Sequence, residues 1–288
     1  MKKIRDVKLG IFDVETTGLD VKTERVVEFG AAIRDSGSWA RRSSKINPGI
    51  PIPKGASDVH GITDERVAGA ETFAQVWPRI LDLLSGCQLA GYNVLHYDLP
   101  LLAAETERHG VQALSPDGVL DVMVFVNWRL RGGGRKLVDV ASRFEIYPVG
   151  GKAHSAAVDC QMTGDVLLAM VDAGMIPETV DEALAEQKRL APIINAEYAR
   201  WGAFLYRDRD NNRLRMGAGK HVGMLLAEAP KSYLQFCLQK FKDLAPDTAV
   251  AFKAAVDGRV GEEFQEQIPG VPAERPVVKE REDEEVRR

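Results

Sequence analysis

Two carboxylates stand two residues apart inside an apolar, β-prone run, Lys8-Leu-Gly-Ile-Phe-Asp13-Val-Glu15, and no other feature constrains the fold of this chain as much. Alternate residues of a strand share a face, so Asp13 and Glu15 point the same way. On an apolar strand two same-facing acids repel each other and lose hydration unless something cationic holds them. A hard divalent ion is the natural counter-charge, because Mg²⁺ and Mn²⁺ take oxygen ligands. Taken alone, the pair also fits a strand edge bearing two solvated acids, and the rest of the chain has to decide between these readings.

After the first strand, Thr16-Thr17-Gly18-Leu19 reads as a turn. Residues 25–34 form a second strand and a third lies near 39–46, with loops short enough for an antiparallel meander. Prolines make residues 48–53 extended or turn-like, and Thr63-Asp64-Glu65 caps a short helix. Helical spacing of Phe73, Val76, Trp77, Ile80, Leu81 and Leu84 predicts a helix ended by Gly86. A strand over 88–92, a helix over 100–109 stopped by Gly110, an apolar stretch over 119–126, and helices over 136–144 and 155–171 complete the pattern. Strands followed by alternating helices and strands indicate an α/β sandwich around a mixed sheet, occupying residues 1–175.

Ile176-Pro177 marks a break, followed by a charged helical linker over 176–201. Residues 204–207 and 213–216 read as a hairpin, then come a glycine-rich turn at 217–223 and an apolar helix over 233–241. Together they predict a small α+β module spanning 202–257. Residues 258–288 are charged, contain proline and are poor in aromatics, which predicts a disordered tail.

The formal net charge of −4 argues against a polyanionic ligand until it is located. Residues 261–288 hold nine acidic and five basic side chains, which accounts for the whole imbalance and leaves residues 1–260 neutral. A neutral body that also carries a cluster of acids has surplus positive charge elsewhere, so a nucleic-acid substrate is compatible with the composition. No apolar run reaches the roughly 20 residues that span a bilayer, and none of signal-peptide length follows the basic start. Cys87, Cys160 and Cys237 are odd in number and widely spaced, which fits a cytoplasmic location and argues against a disulfide framework or a structural zinc site.

The acid pair has company. Asp98 follows Tyr92-Asn93-Val94-Leu95-His96-Tyr97 and opens the apolar Leu99-Pro100-Leu101-Leu102. Singly, it is equally a helix cap or dipole partner. His154-Ser-Ala-Ala-Val-Asp159 places an acid on an otherwise apolar helix face, with a histidine in the preceding loop that can lean over the same site.

In this order, DxETTGL, Gly-x-Asn-x-x-x-Tyr-Asp and His-x-x-x-x-Asp resemble the pattern of the DEDDh (DnaQ-like) 3′→5′ exonucleases, with Asp13, Glu15, Asp98, His154 and Asp159 at its five positions. Val59-His60-Gly61-Ile62-Thr63, Asn93 and Lys136-Leu137 also look like the family, and the resemblance covers residues 7–172. Tyr92 departs from it, since many relatives have histidine there. The resemblance implies a ribonuclease H-like mixed β-sheet flanked by helices. It also implies a magnesium-dependent nuclease with two ions, for which Mn²⁺ substitutes. Asp13 would bridge both ions, Glu15 and Asp159 would help hold the first, and Asp98 would support the second. His154 would accept a proton from the attacking water, a role suited to an imidazole that titrates near neutrality. Thr16, Thr17, Gly18 and Leu19 look like the pocket for the terminal nucleotide. His60 resembles a family position near the substrate, or is a structural loop histidine. Tyr97 sits where another branch of the superfamily has an upstream tyrosine base, and reads here as packing.

Arg129, Arg131, Arg135 and Lys136 put four cations within eight residues around three glycines, either a loop that tracks a phosphate backbone or a solvated connector. No Gly-Lys-Ser/Thr follows the glycines, so this is not a P-loop. Gly219-Lys-His-Val-Gly223 and Tyr233-Leu234 resemble the C-terminal extension of exonuclease X-like proteins, an accessory unit for substrate or for a protein partner, or a packing unit without a ligand. The expectation is a deoxyribonuclease acting on single-stranded DNA 3′ ends or frayed ends. Its rivals are an exoribonuclease of the same chemistry, with RNA as substrate, and a binding domain that has lost catalysis.

Overall fold

The computed structural model describes residues 2–115, 118–130, 134–149, 155–208 and 211–259. Strands β1 (Leu9–Thr16), β2 (Val26–Asp35) and β3 (Ser38–Lys45) form the antiparallel meander expected from the short loops. Short helices α1 (Lys54–His60) and α2 (Asp64–Val67) precede α3 (Phe73–Leu84), and β4 (Gln88–Gly91) then returns parallel to β1. After α4 (Asp98–His109), the two-residue β5 (Leu120–Asp121) pairs parallel with β4, and the chain continues through α5 (Val122–Arg129), α6 (Leu137–Arg143), α7 (Ala156–Asp172) and α8 (Val180–Trp201). Among the described residues the sheet has five strands in the order β3-β2-β1-β4-β5, mixed in direction and flanked by helices. This is the architecture expected of a ribonuclease H-like fold. Among the described residues no helix is long and apolar enough to cross a membrane.

Strand alternation sorts β1 between two cores. Phe12 and Val14 pack with Phe29, Phe73, Val76, Trp77 and Leu101 beneath α3 and α4. Leu9 and Ile11 face the opposite layer, with Ala32, Cys160 and Val166. Asp13 and Glu15 continue the Leu9–Ile11 face, so the two acids emerge beneath α7. The register sets Asp13 opposite Gly30 and Glu15 opposite Glu28. Gly30 is what lets α7 come this close, since a Cβ there would lie 2.5 Å from the backbone carbon of Ala156 and 2.7 Å from the nitrogen of Ala157. Gly91 permits a similar approach at the end of β4, where a Cβ would lie 2.9 Å from the Phe12 carbonyl oxygen and 2.1 Å from a Val94 methyl.

The segment expected to link two units does more than connect. Val180, Ala183 and Leu190 of α8 are buried in the core of the sheet's α7 side. Gln187 is buried and stands in for a further strand beside β5: its Oε1 accepts from the Asp121 amide at 2.6 Å and its Nε2 donates to the Val119 carbonyl at 2.9 Å. Gln187→Leu keeps the bulk but strands both groups. It is expected to cost about 2 kcal/mol and roughly 5 °C of melting temperature. An unchanged thermal melt would contradict this role.

The other end of α8 enters a separate core. Trp201 packs with Leu205, Met216, Leu234 and Phe252, contributed by the hairpin β6 (Leu205–Arg207) and β7 (Leu214–Met216) and by α9 (Lys231–Lys240) and α10 (Pro246–Val256). Residues 260–288, including nearly all of the tail, lie outside the described residues.

Candidate active site

Asp13 and Glu15 sit at the C-terminal end of β1, Asp98 opens α4 after β4, and Asp159 lies in the first turn of α7. Ligands of open α/β sheets collect at such strand ends, and the two helix N-termini favour negative charge. The acids influence one another strongly. Burial, then the charges of Asp98, Glu15, Asp159 and Glu28, hold the Asp13 carboxyl well above the usual carboxylate range. Burial pushes Glu15 up to about 7, with Glu28, Asp159 and Asp98 adding to it and Lys45 opposing. Asp98 is also raised to about 7 by burial, against a hydrogen bond from the Val14 amide to its Oδ1 at 3.0 Å.

A second acid fixes Asp98. Asp121, 1% exposed, accepts backbone hydrogen bonds from Asn93 at 2.8 Å, Leu95 at 3.1 Å and Met123 at 2.9 Å. One carboxylate thereby caps α5 and clamps the turn that leads from β4 into Asp98. Asn93 within that turn has a positive φ of 66°, a conformation asparagine tolerates better than most residues.

Among the described residues no three His, Cys, Asp or Glu side chains are already closed into a coordination cage. The donor set nevertheless fits a hard divalent cation: hard carboxylate oxygens, largely shielded from water, each of Asp13 and Glu15 destabilised as an anion by the others. Asp13, Glu15, Asp98 and Asp159 are the residues that would hold such ions.

The turn after β1 is tightly organised. The Thr16 hydroxyl donates to the Gly18 carbonyl at 2.7 Å, and the Tyr97 hydroxyl lies within hydrogen-bond reach of both residues. Thr17 is buried, accepts from the Arg25 amide at 2.9 Å and donates to Glu24. His60 accepts from the Ile62 amide through Nδ1 at 3.0 Å, which leaves Nε2 to donate to the Thr16 carbonyl at 3.2 Å. At the tip Leu19 is 88% exposed, an apolar side chain held out in water by an ordered turn.

The basic loop divides. Arg129 turns away, donating to the Met175 carbonyl at 3.1 Å and pairing with Glu186 at 3.3 Å. That placement sets Arg129 toward α8. Arg135 and Lys136 line a cleft of about 830 Å³ that also takes in Asp13, Asp159 and Asn93. The Arg135 guanidinium is partly buried and donates to the Val126 carbonyl at 2.8 Å, whereas Lys136 is exposed. His154 and Arg131 lie outside the described residues.

Tyr97, which reads as packing in the sequence, and Glu24, Glu28 and Asp121 are additions that the structure makes. Glu28 carried a signal that was open to reading: an acid inside the apolar Arg25-Val-Val-Glu-Phe-Gly run, as unusual as Asp13 in its own strand. It is 6% exposed and pairs with Lys45 at 3.0 Å.

The RNase_T family model, described as an exonuclease, matches residues 11–167, more than half of the chain. The protein named uncharacterized exonuclease CP81 of Escherichia phage 186 is 31% identical over 174 residues, 56% of this chain and 87% of that protein. The PolC-type DNA polymerase III of Mycoplasma genitalium is 26% identical over 162 residues, 55% of this chain but only 11% of that polymerase. In three dimensions the nuclease domain of 3′hExo, described as a DEDDh family member, superposes with a TM-score of 0.51 at 16% identity, covering 60% of this chain and 96% of that one. The matched residues run from β1 into α7 and span the strand that bears Asp13 and Glu15, the helix start that bears Asp98 and the helix that bears Asp159, so this chain belongs to the RNase_T exonuclease family.

Proposed function

We propose that the chain is a 3′→5′ exodeoxyribonuclease that shortens DNA from single-stranded or frayed 3′ ends and releases 5′-mononucleotides. The observation that carries this is the gathering of Asp13, Glu15, Asp98 and Asp159 from three separate segments into one shielded site, where each raised carboxyl reports the charge of its neighbours or the loss of water. On this reading residues 1–175 perform the chemistry and 202–257 form an accessory unit. Two divalent ions, Mg²⁺ or Mn²⁺, would supply the positive charge that such a site needs at the phosphate. The backbone of Thr16, Thr17 and Gly18 meets the terminal nucleoside, Leu19 packs on its base, and His60 stiffens the Thr16 carbonyl from behind. Lys136 draws the phosphate chain along the cleft. His154 takes the proton of the attacking water.

DNA is favoured over RNA because one relative is named as a DNA polymerase III and because the C-terminal turn and helix resemble those of exonuclease X-like proteins. Incubation of 5′-labelled single-stranded DNA and a matched RNA, with Mg²⁺ or EDTA, tests the reading. A metal-dependent ladder that shortens from the 3′ end of the DNA is expected. Faster loss of the RNA would move the assignment to an exoribonuclease, and two intact strands would end the catalytic reading. His154→Ala is expected to lower kcat about a hundredfold with KM little changed, and full turnover in that variant would remove His154 from its role.

A further inference from the structure

The cleft that opens at Asp13 and Asp159 has a far wall built entirely from residues beyond the family match, which ends at 167. Tyr198 on the last turns of α8, Tyr206 on β6 and the loop 217–219 make up that wall, and they face Asn93, Lys136 and Val138 across about 830 Å³. Tyr198 is 65% exposed, an aromatic side chain left out of both cores. Tyr206 is half-buried and lines the same cleft as Arg135.

The loop is held as nearly bare backbone. The Gly217 amide donates to the Phe204 carbonyl at 2.8 Å, and a Cβ at Gly217 would lie 2.6 Å from the Ala203 carbonyl oxygen. Gly219 has a φ of +81°, and a Cβ there would lie 2.0 Å from the Tyr233 hydroxyl. Larger side chains at these positions would displace the loop, so the space in front of the two tyrosines stays open. Its lining is mostly apolar and aromatic, with the cations Arg135 and Lys136 on the near side and the acids Asp139 and Glu197 also at its walls.

We propose that this second wall is a strand-holding subsite, in which an unpaired nucleic-acid strand runs from the acids with its bases stacked on Tyr198 and Tyr206. The proposal rests on the exonuclease reading and adds to it where the strand lies upstream of the cut. Unpaired nucleic acid is the occupant because the cavity is continuous with Asp13 and Asp159. Aromatic faces also need free base faces, which a duplex keeps stacked on each other. Stacking of this kind tolerates any base, so the subsite would grip strands without selecting sequence.

The test uses the full chain with Mg²⁺, a dinucleotide, and a single strand of about ten nucleotides, a length such grooves commonly cover. Tyr198→Ala and Tyr206→Ala are each expected to raise KM for the longer strand about tenfold, to leave KM for the dinucleotide unchanged and to keep kcat on both. Tyr198→Phe and Tyr206→Phe retain a stacking face and are expected to behave as the parent. Should Tyr206→Ala melt early, Tyr198→Ala decides alone from its exposed position. Equal KM values for the longer strand in the parent and both alanine variants would overturn the subsite while leaving the nuclease reading intact. The same follows if the dinucleotide KM rises in step. A parent protein that cleaves neither substrate overturns the nuclease reading first and this subsite with it.

Discussion

Replacing Asp13 with asparagine is expected to lower the exonuclease rate by at least about a thousandfold, while raising the melting temperature of the metal-free protein by a few degrees. The first effect follows from the loss of the acid that the other three surround, since charge stabilisation of this kind contributes several kcal/mol to the reaction. The second follows from its neighbours: Asp98, Glu15, Asp159 and Glu28 all oppose an anion at Asp13, and a neutral amide relieves them. The pH dependence has a definite sign. Asp13, Glu15 and Asp98 all hold protons more tightly in the folded state than in the unfolded one. The folded protein is therefore favoured below their ordinary values of 3.8 and 4.5 and loses that advantage as pH rises through about 7. Carrying Glu15 from 4.5 to about 7 costs the fold on the order of 3 kcal/mol at neutral pH. Melts in EDTA are expected to fall across this window, and Mg²⁺ should restore much of the loss. Flat melts from pH 4 to 8, with a variant no more stable than its parent, would show that the acids do not crowd one another.

Gly30→Val is expected to disable the same site from behind. The new side chain meets the backbone of Ala156 and Ala157, not the flexible end of a side chain, so α7 has to retreat. Overpacking against a fixed obstacle costs about 3 kcal/mol, or roughly 10 °C in a protein of this size. Because Asp159 rides on the first turn of α7, the retreat also draws it from Asp13. A displacement near 1 Å lowers a rate about a hundredfold. Gly55→Ala serves as the control, since nothing lies within 4 Å of a Cβ there. A Gly30→Val protein that melts and cleaves like its parent would mean that α7 does not rest on β2 in this way.

The acids were legible because each breaks a local pattern: Asp13 and Glu15 interrupt an apolar strand, and Asp159 sits on an apolar helix face. The meander and helices α3, α4, α6, α7 and α8 were legible from periodicity and glycine stops, to within a few residues. Residues 119–126 were not resolved into elements by the same logic. The structure gives them two residues of strand and then α5, whose Val122, Val124, Phe125 and Val126 are all buried. A segment buried all round has no periodicity to read. Helix α1 was missed for the opposite reason: none of its residues is buried, so it shows no apolar stripe. Arg129 could not be placed from sequence either, because its partner Glu186 comes from a helix 57 positions later. Long-range pairing of this sort leaves no local signature.

Helix α8 belongs to two cores at once, and this bears on how the protein can be cut. Removing everything after residue 175 would keep the whole span matched by the family yet take away Gln187, Ala183 and Leu190. Strand β5 would then be an open edge, with unpaired amide and carbonyl groups beside an apolar face, a template for pairing with other chains. A protease nick within α8, or a gene fusion that ends at the apparent domain boundary, would therefore yield a sticky, self-associating remnant in place of a minimal nuclease.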